Sequence, residues 1–188
     1  PARSLSVKAE ERSLFNTLGL LSSKPVLYVC NVEEAAAQGG NANSELVAKR
    51  AAEEKAVFVV VSAKIESEIA VLPIEEQKDY LEAVDLKEPG LNRVIRAGYD
   101  LLHLITYFTV GPKEARAWTI ETGTRAPQAA GVIHTDFEKG FIRAETIAYA
   151  DYVALKGEAG ARDAGRLRLE GKDYLVADGD VMHFRFNN

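Results

Sequence analysis

Two short strings carry the residue types that could read a nucleobase. Asn31-Val32-Glu33-Glu34 closes the apolar run at residues 26–30, and Ser62-Ala63-Lys64 closes a second run at residues 56–61. A carboxamide holds an acceptor and donors on one group. Asn31 can therefore accept from the exocyclic amine of adenine while donating to N7, the pairing by which proteins read adenine in nucleic acid. A carboxylate set against adenine N1 would oppose a lone pair. Glu34 is thus expected to turn away, with Val32 packing on the base and its backbone supplying polar contacts. Ser62, Ala63 and Lys64 would lie along the base edge, where backbone amides can reach the ring. Plainer readings stand beside these: Asn31 can close a turn at a strand end, Glu34 can be structural, and Lys64 can be a solvated charge at a helix start.

In P-loop GTPases a strand ending in Asn-Lys-x-Asp reads guanine, because the aspartate accepts from two ring donors and the lysine stem covers the base. Here the asparagine is kept, the lysine position is Val32, and the acid at the fourth position, Glu34, is one methylene longer. Adenine is favoured over guanine.

The elements that must position these residues follow from periodicity. Residues 8–21 place Leu14, Phe15, Leu18 and Leu21 at the spacing of an amphipathic helix. Residues 26–30 form a short continuous apolar run, as in a central strand of a parallel sheet buried on both faces. After a Gly- and Asn-rich loop, Ser44 can cap a helix through Lys55, and residues 56–61 repeat the β-branched strand pattern. Strand, helix, strand implies a parallel pair with a right-handed crossover and a ligand beyond the strands' carboxyl ends, at Asn31 and Ser62. Helices are expected at residues 74–84 and 91–102, the second entered through Glu88-Pro89-Gly90. From Ile105 the texture changes to short strands at 106–110, 115–120, 141–149 and 181–186, with turns at Gly111-Pro112 and Asp178-Gly179. Residues 126–134 and 150–167 read as helical or partly helical, which makes the second unit a small α+β domain, with the boundary near residues 103–105.

Composition narrows the class. The 188 residues are 47% apolar and 27% charged, the balance of a globular chain rather than a disordered one. A net charge of −5 leaves no global basic field for nucleic acid, so any RNA contact must be local and no DNA specificity is expected. Cys30 is the one cysteine, which excludes an internal disulfide and fits a reducing, cytoplasmic compartment. Beside Asn31 in a strand, it reads as a packing residue. No apolar run reaches the roughly 18 residues of a membrane span, so no membrane partner is expected. The chain starts at Pro1 and its one methionine is Met182, a start that suits a fragment or a trimmed initiator equally.

Other candidates are weaker. His103, His134 and His183 lack ligand spacing, so no metal site is expected. Trp118 would fill the small domain's core or its edge. Lys139, Arg143, Arg162, Arg166, Arg168 and Lys172 could form a local basic surface, although Asp136, Glu138, Asp163, Glu170 and Asp173 would turn it into a solvated mixed face.

Longer strings carry a family resemblance. Residues 24–34, Glu88-Pro89-Gly90-Leu91-Asn92-Arg93-Val94-Ile95-Arg96, Ala115-Arg116-Ala117-Trp118-Thr119-Ile120 and above all His134-Thr135-Asp136-Phe137-Glu138-Lys139-Gly140-Phe141-Ile142-Arg143-Ala144-Glu145 closely resemble the YchF/Obg-like ATPases, over essentially the whole chain. The resemblance implies that residues 1–21 end a helical insertion, residues 22–104 form the C-terminal part of a P-loop GTPase-like parallel sheet with helices, and residues 105–188 form a ubiquitin-like (β-grasp) α+β TGS domain. It implies a parent protein that binds and hydrolyses ATP in preference to GTP, uses Mg²⁺ and associates with ribosomes. His134, which opens the last string, joins Lys139, Arg143, Arg166 and Arg168 as a candidate RNA or partner surface, though it also reads as a loop residue bonded to backbone.

The departure from the family pattern is as informative. A phosphate-binding loop needs Gly-x-x-x-x-Gly-Lys-Ser/Thr, and no such segment occurs here. Without it phosphoryl transfer lacks positioning and charge stabilisation. Hydrolysis by this chain alone is not expected, nor is tight binding of ATP or Mg²⁺. The rival expectation is a non-enzymatic module that binds RNA, the ribosome or a protein through the TGS domain. The sequence carries no signal for oligomeric state.

Overall fold

The computed structural model describes residues 1–187. It divides into one compact unit, Pro1–Leu102, and a second that begins at His103.

In the first unit α1 (Arg12–Thr17) leads to β1 (Leu27–Asn31), α2 (Ala42–Glu54), β2 (Val57–Val61), α3 (Ala63–Ile69), α4 (Ile74–Ala83) and α5 (Gly90–Leu101). β1 and β2 pair in parallel, with Leu27 level with Val57 and Asn31 level with Val61, so α2 is the expected crossover and both candidate strings leave the sheet at the same end. β1 and the valine-rich β2 therefore meet as the β-branched patterning requires.

Four local expectations are corrected. The helix expected over residues 8–21 is a short 3-10 turn at Ala9–Glu11 followed by α1. Gly19, at φ 60°, ends it, and with Leu14, Leu18 and Leu21 exposed no core sustains a longer one. The cap of α2 is Asn41, not Ser44. Asn41 Oδ1 accepts from Ser44 N at 3.0 Å while Ser44 Oγ accepts from Asn41 N at 2.7 Å, so Ser44 is the return half of a capping box. β1 is half-buried rather than covered on both faces, with Val29 46% exposed. Finally, α3 begins inside the string expected to run as a base-edge loop, which places Lys64 at a helix start, its alternative reading. It forms because Ile65 and Ile69 reach Leu81, Leu86 and Ala37 in a buried cluster, each large aliphatic contributing about 1.5–3 kcal/mol on burial.

The second unit is β3 (Leu104–Val110), β4 (Ala115–Glu121), α6 (Ala126–Ile133), α7 (Thr135–Lys139), β5 (Phe141–Ala148), α8 (Tyr149–Ala154), α9 (Glu158–Asp163), β6 (Arg168–Glu170) and β7 (Asp180–Phe186). Its sheet order is β4-β3-β7-β5-β6. First and last strands are parallel neighbours at the centre and the remaining pairs are antiparallel, the β-grasp arrangement. One face packs on α6, where Tyr107, Ala129, Ala130, Ala144, Met182 and Phe184 are buried together. The helical or partly helical stretch expected over residues 150–167 is two short helices, α8 and α9, separated where Lys156 and Gly157 take positive φ. α7 and β6 were not anticipated. Gly179, at φ 80°, makes the expected turn into β7.

Candidate functional site

The site is built at the carboxyl ends of β1 and β2. Val32 N donates to Val61 O at 2.9 Å, extending the ladder one step past Asn31. That bond turns the Val32 side chain inward, where it is 8% exposed. Val32 therefore offers a base little surface, and its amide is already engaged.

Asn31 is exposed and its side chain crosses to the second string: Ala63 N donates to Asn31 Oδ1 at 2.9 Å. This bond sets the amide's orientation, since only the carbonyl can accept. The carbonyl keeps a second lone pair, and Nδ2 is left to donate outward.

Ser62 is 2% exposed, and its Oγ has no partner among the described residues. It precedes α3 without capping it. Lys64 Nζ lies 2.7 Å from Glu34 Oε2, with side chains 65% and 44% exposed. The hydrogen bond to Glu34, and then its charge, raise the Lys64 pKa. An exposed pair of this kind contributes about 0–1 kcal/mol, so its importance is geometric: Glu34 and Lys64 link the two loops. The structure thus brings Asn31, Ala63, Lys64 and Glu34 into one connected arrangement, with Val32 and Ser62 behind it.

Two carboxylates in this arrangement escaped the sequence reading. Glu33 accepts from Asn41 Nδ2 at 2.9 Å, tying the first loop to the cap of α2. Glu66 reaches the start of α5, where it accepts from Gly90 N and Leu91 N. The Asn-x-x-Ser capping pattern at residues 41–44 could have signalled the first; nothing local signals the second. Among the described residues no group of three His, Cys, Asp or Glu side chains is placed to hold a metal ion.

The candidate RNA or partner residues lie in the second unit. His134 caps α7, its Nδ1 accepting from Asp136 N at 3.2 Å, which is the backbone-bonded loop role. Lys139, Arg143 and Arg166 are exposed. Arg143 stands opposite Arg185 in the β5–β7 register; because Ala144 and Phe184 face α6, the two arginines share the other face. Arg168 is committed elsewhere: it lies 3.2 Å from the buried Asp180, which also accepts from Tyr174 at 2.6 Å. Trp118 is half-buried against the core, and its indole donates to Thr109 Oγ1 at 2.9 Å. Cys30 is half-buried and unpaired by any disulfide.

Comparison with known proteins decides the family. A family model, YchF-GTPase_C, described as "Protein of unknown function (DUF933)", matches residues 104–187. The Ribosome-binding ATPase YchF of Bacillus subtilis is 54% identical over 189 residues, covering 100% of this chain and 52% of the relative. The chain belongs to the YchF family. The Ribosome-binding ATPase YchF of Haemophilus influenzae is 56% identical, covering 98% of this chain and 51% of its own. The solved structure of the Schizosaccharomyces pombe YchF GTPase is similar with a TM-score of 0.84 at 35% identity, covering 97% of this chain and 49% of that one. The chain spans about half the length of the YchF relatives it matches.

Proposed function

We propose that this chain is the C-terminal part of a cytoplasmic, ribosome-associated P-loop nucleoside triphosphatase that prefers ATP to GTP, and that Asn31 with the Ser62-Ala63-Lys64 loop forms the base side of its site. The relatives' names pair ribosome binding with ATPase in bacteria and give GTPase in the Schizosaccharomyces pombe structure, so the choice of base follows from the site rather than from the names. The observation that carries the adenine reading is the bond from Ala63 N to Asn31 Oδ1. Guanine O6 needs a donor, and the nearby Ala63 amide is already engaged. Adenine N6 needs an acceptor, which the second lone pair of Asn31 Oδ1 supplies, while Nδ2 donates to N7. Glu34, held by Lys64, is not directed at the ring donors that an aspartate reads in guanine.

The phosphates and Mg²⁺ belong to the part of the parent protein outside this chain, which supplies no phosphate-binding loop of its own. 7-Deaza-ATP tests the reading in that parent. Removal of the N7 acceptor is expected to weaken binding about tenfold, the loss of one specific base contact, and Asn31→Ala is expected to erase the difference between ATP and its 7-deaza analogue. Equal binding of the two by the unsubstituted protein would sink it.

A second, compatible role is favoured by one observation: residues from His103 onward form a compact unit of their own. On this reading the unit is a TGS domain that binds ribosomal RNA or a protein, with Arg143 and Lys139 on its exposed surface. Ribosome co-sedimentation of residues 105–188 tests it; loss of binding on removal of the upstream residues would argue against an autonomous module.

A further inference from the structure

Ser62-Ala63-Lys64 has no cap of its own. Ser62 makes no side-chain bond to the start of α3, and its Oγ is unpartnered. The loop is nevertheless fixed, since Ala63 N must stay within 2.9 Å of Asn31 Oδ1. The fixing group lies one turn into α3. Glu66 N donates to Ser62 O at 3.0 Å, continuing α3 from the loop, and the Glu66 side chain reaches the head of α5. There Oε1 accepts from Gly90 N at 2.7 Å and Oε2 from Leu91 N at 3.1 Å. A carboxylate that takes two orphan amides of a helix's first turn also meets the positive end of its dipole.

Gly90 is part of the same device. It is buried, its φ is ordinary, and a Cβ there would stand 2.8 Å from Glu66 Oε1 and 3.0 Å from Val61 Cγ1. Pro89 before it leaves no amide to satisfy and sets the chain's entry to α5. The string Glu88-Pro89-Gly90-Leu91 thus has a geometric reason: it presents two amides to Glu66 at a closeness that a Cβ at residue 90 would force the carboxylate to give up.

We infer that Glu66 is a positioning residue for base recognition, clamping α3 to α5 so that Ala63 N holds the Asn31 amide in the orientation that selects adenine. The inference rests on the purine-site reading proposed above. Glu66 touches no base. It acts through α3 and Ala63, and its loss frees the loop to move its amide from Asn31 toward a guanine carbonyl. The effect therefore falls on discrimination between purines as well as on affinity.

The test is titration calorimetry of the parent protein with ATP and with GTP, comparing Glu66→Ala, Glu66→Gln, Gly90→Ala and Asn31→Ala, with melting temperatures recorded alongside. Glu66→Ala is expected to weaken ATP about tenfold and to lower the ATP-over-GTP affinity ratio by a similar factor. Glu66→Gln keeps one acceptor and is expected to recover part of both. Gly90→Ala, which displaces the carboxylate without removing it, is expected to resemble Glu66→Ala. A ratio unchanged in Glu66→Ala and Gly90→Ala, with only the melting temperature lowered, overturns the positioning role while leaving the purine site intact if Asn31→Ala still loses ATP. Wild-type ATP binding by Asn31→Ala overturns both. Should Glu66→Ala fail to fold, Glu66→Gln decides: an unchanged ratio there refutes the proposal.

Discussion

Tyr107→Phe isolates the bond that fastens the first strand of the second unit to its helix. Tyr107 is fully buried, its hydroxyl donates to Ala129 O at 2.8 Å, and its ring meets Phe184 edge-on at 5.8 Å and 86°. Phenylalanine keeps the ring contact and removes only the hydroxyl. The net bond contributes about 1 kcal/mol, and leaving a buried carbonyl with one partner fewer adds a fraction to that, so the expected loss is about 1–2 kcal/mol. With a urea slope of about 1 kcal/mol/M for a unit this small, the midpoint should fall by about 1–2 M. The assay is built in: Trp118 is the only tryptophan, it packs on this same core, and its fluorescence reports the second unit alone. The sign of the pH dependence gives a second reading. Burial pushes the Tyr107 phenol well above its ordinary value, so the folded state holds the proton more tightly than the unfolded one. The stability this represents is complete below the unfolded value, about 10, and is lost as pH rises toward the folded value. The substitution should therefore flatten the alkaline fall in stability. A midpoint within about 0.3 M of the parent chain, or an alkaline limb left unchanged, would refute the reasoning.

Asn41→Ala removes the side-chain cap of α2 and should cost about 1 kcal/mol, visible as faster amide hydrogen exchange at Asn43 and Ser44, whose N–H groups Asn41 accepts. Gly140→Ala places a Cβ 2.0 Å from Asn187 O; since the obstacle is backbone, a loss of about 1–3 kcal/mol in Trp118-monitored unfolding is expected. Glu145 is held by Arg185 through bonds of 3.2 and 3.0 Å, which lower its carboxyl pKa against the opposing effect of burial. Its stabilisation is present above the ordinary carboxylate value and is lost as pH falls through the depressed one. Arg185→Met should therefore move the midpoint of acid unfolding to higher pH, and an unmoved midpoint would count against the pair.

Strands β1 to β5 and β7 were legible because β-branched and aromatic residues recur along them, a local pattern that survives without tertiary information. Elements that tertiary packing alone creates were not. α3 is seven residues whose N-cap Ser62 makes no side-chain bond to it, and it exists because Ile65 and Ile69 find Leu81 and Leu86 far along the chain. β6 is three residues recruited by β5, and no local pattern announces it. The helix at residues 8–21 failed for the converse reason, a helical pattern with nothing to bury against. At the site, Asn31 and the Ser62 loop could be named from their places at strand ends, and the structure joins them by a bond. Val32 was expected to face the base, yet the ladder bond from its own amide turns it inward. Glu66 could not be found from sequence, because its meaning lies in two backbone amides that only folding brings to it.

The central claim is that the carboxyl ends of β1 and β2 form the adenine-reading side of a nucleotide site. Titration calorimetry of the parent protein with ATP and GTP at one Mg²⁺ concentration tests it most directly. ATP is expected to bind about tenfold or more tightly than GTP, in keeping with the roughly 1–3 kcal/mol of one well-made base contact, and Asn31→Ala is expected to lose that margin. Equal or tighter binding of GTP, or an undiminished ATP preference in Asn31→Ala, would contradict it.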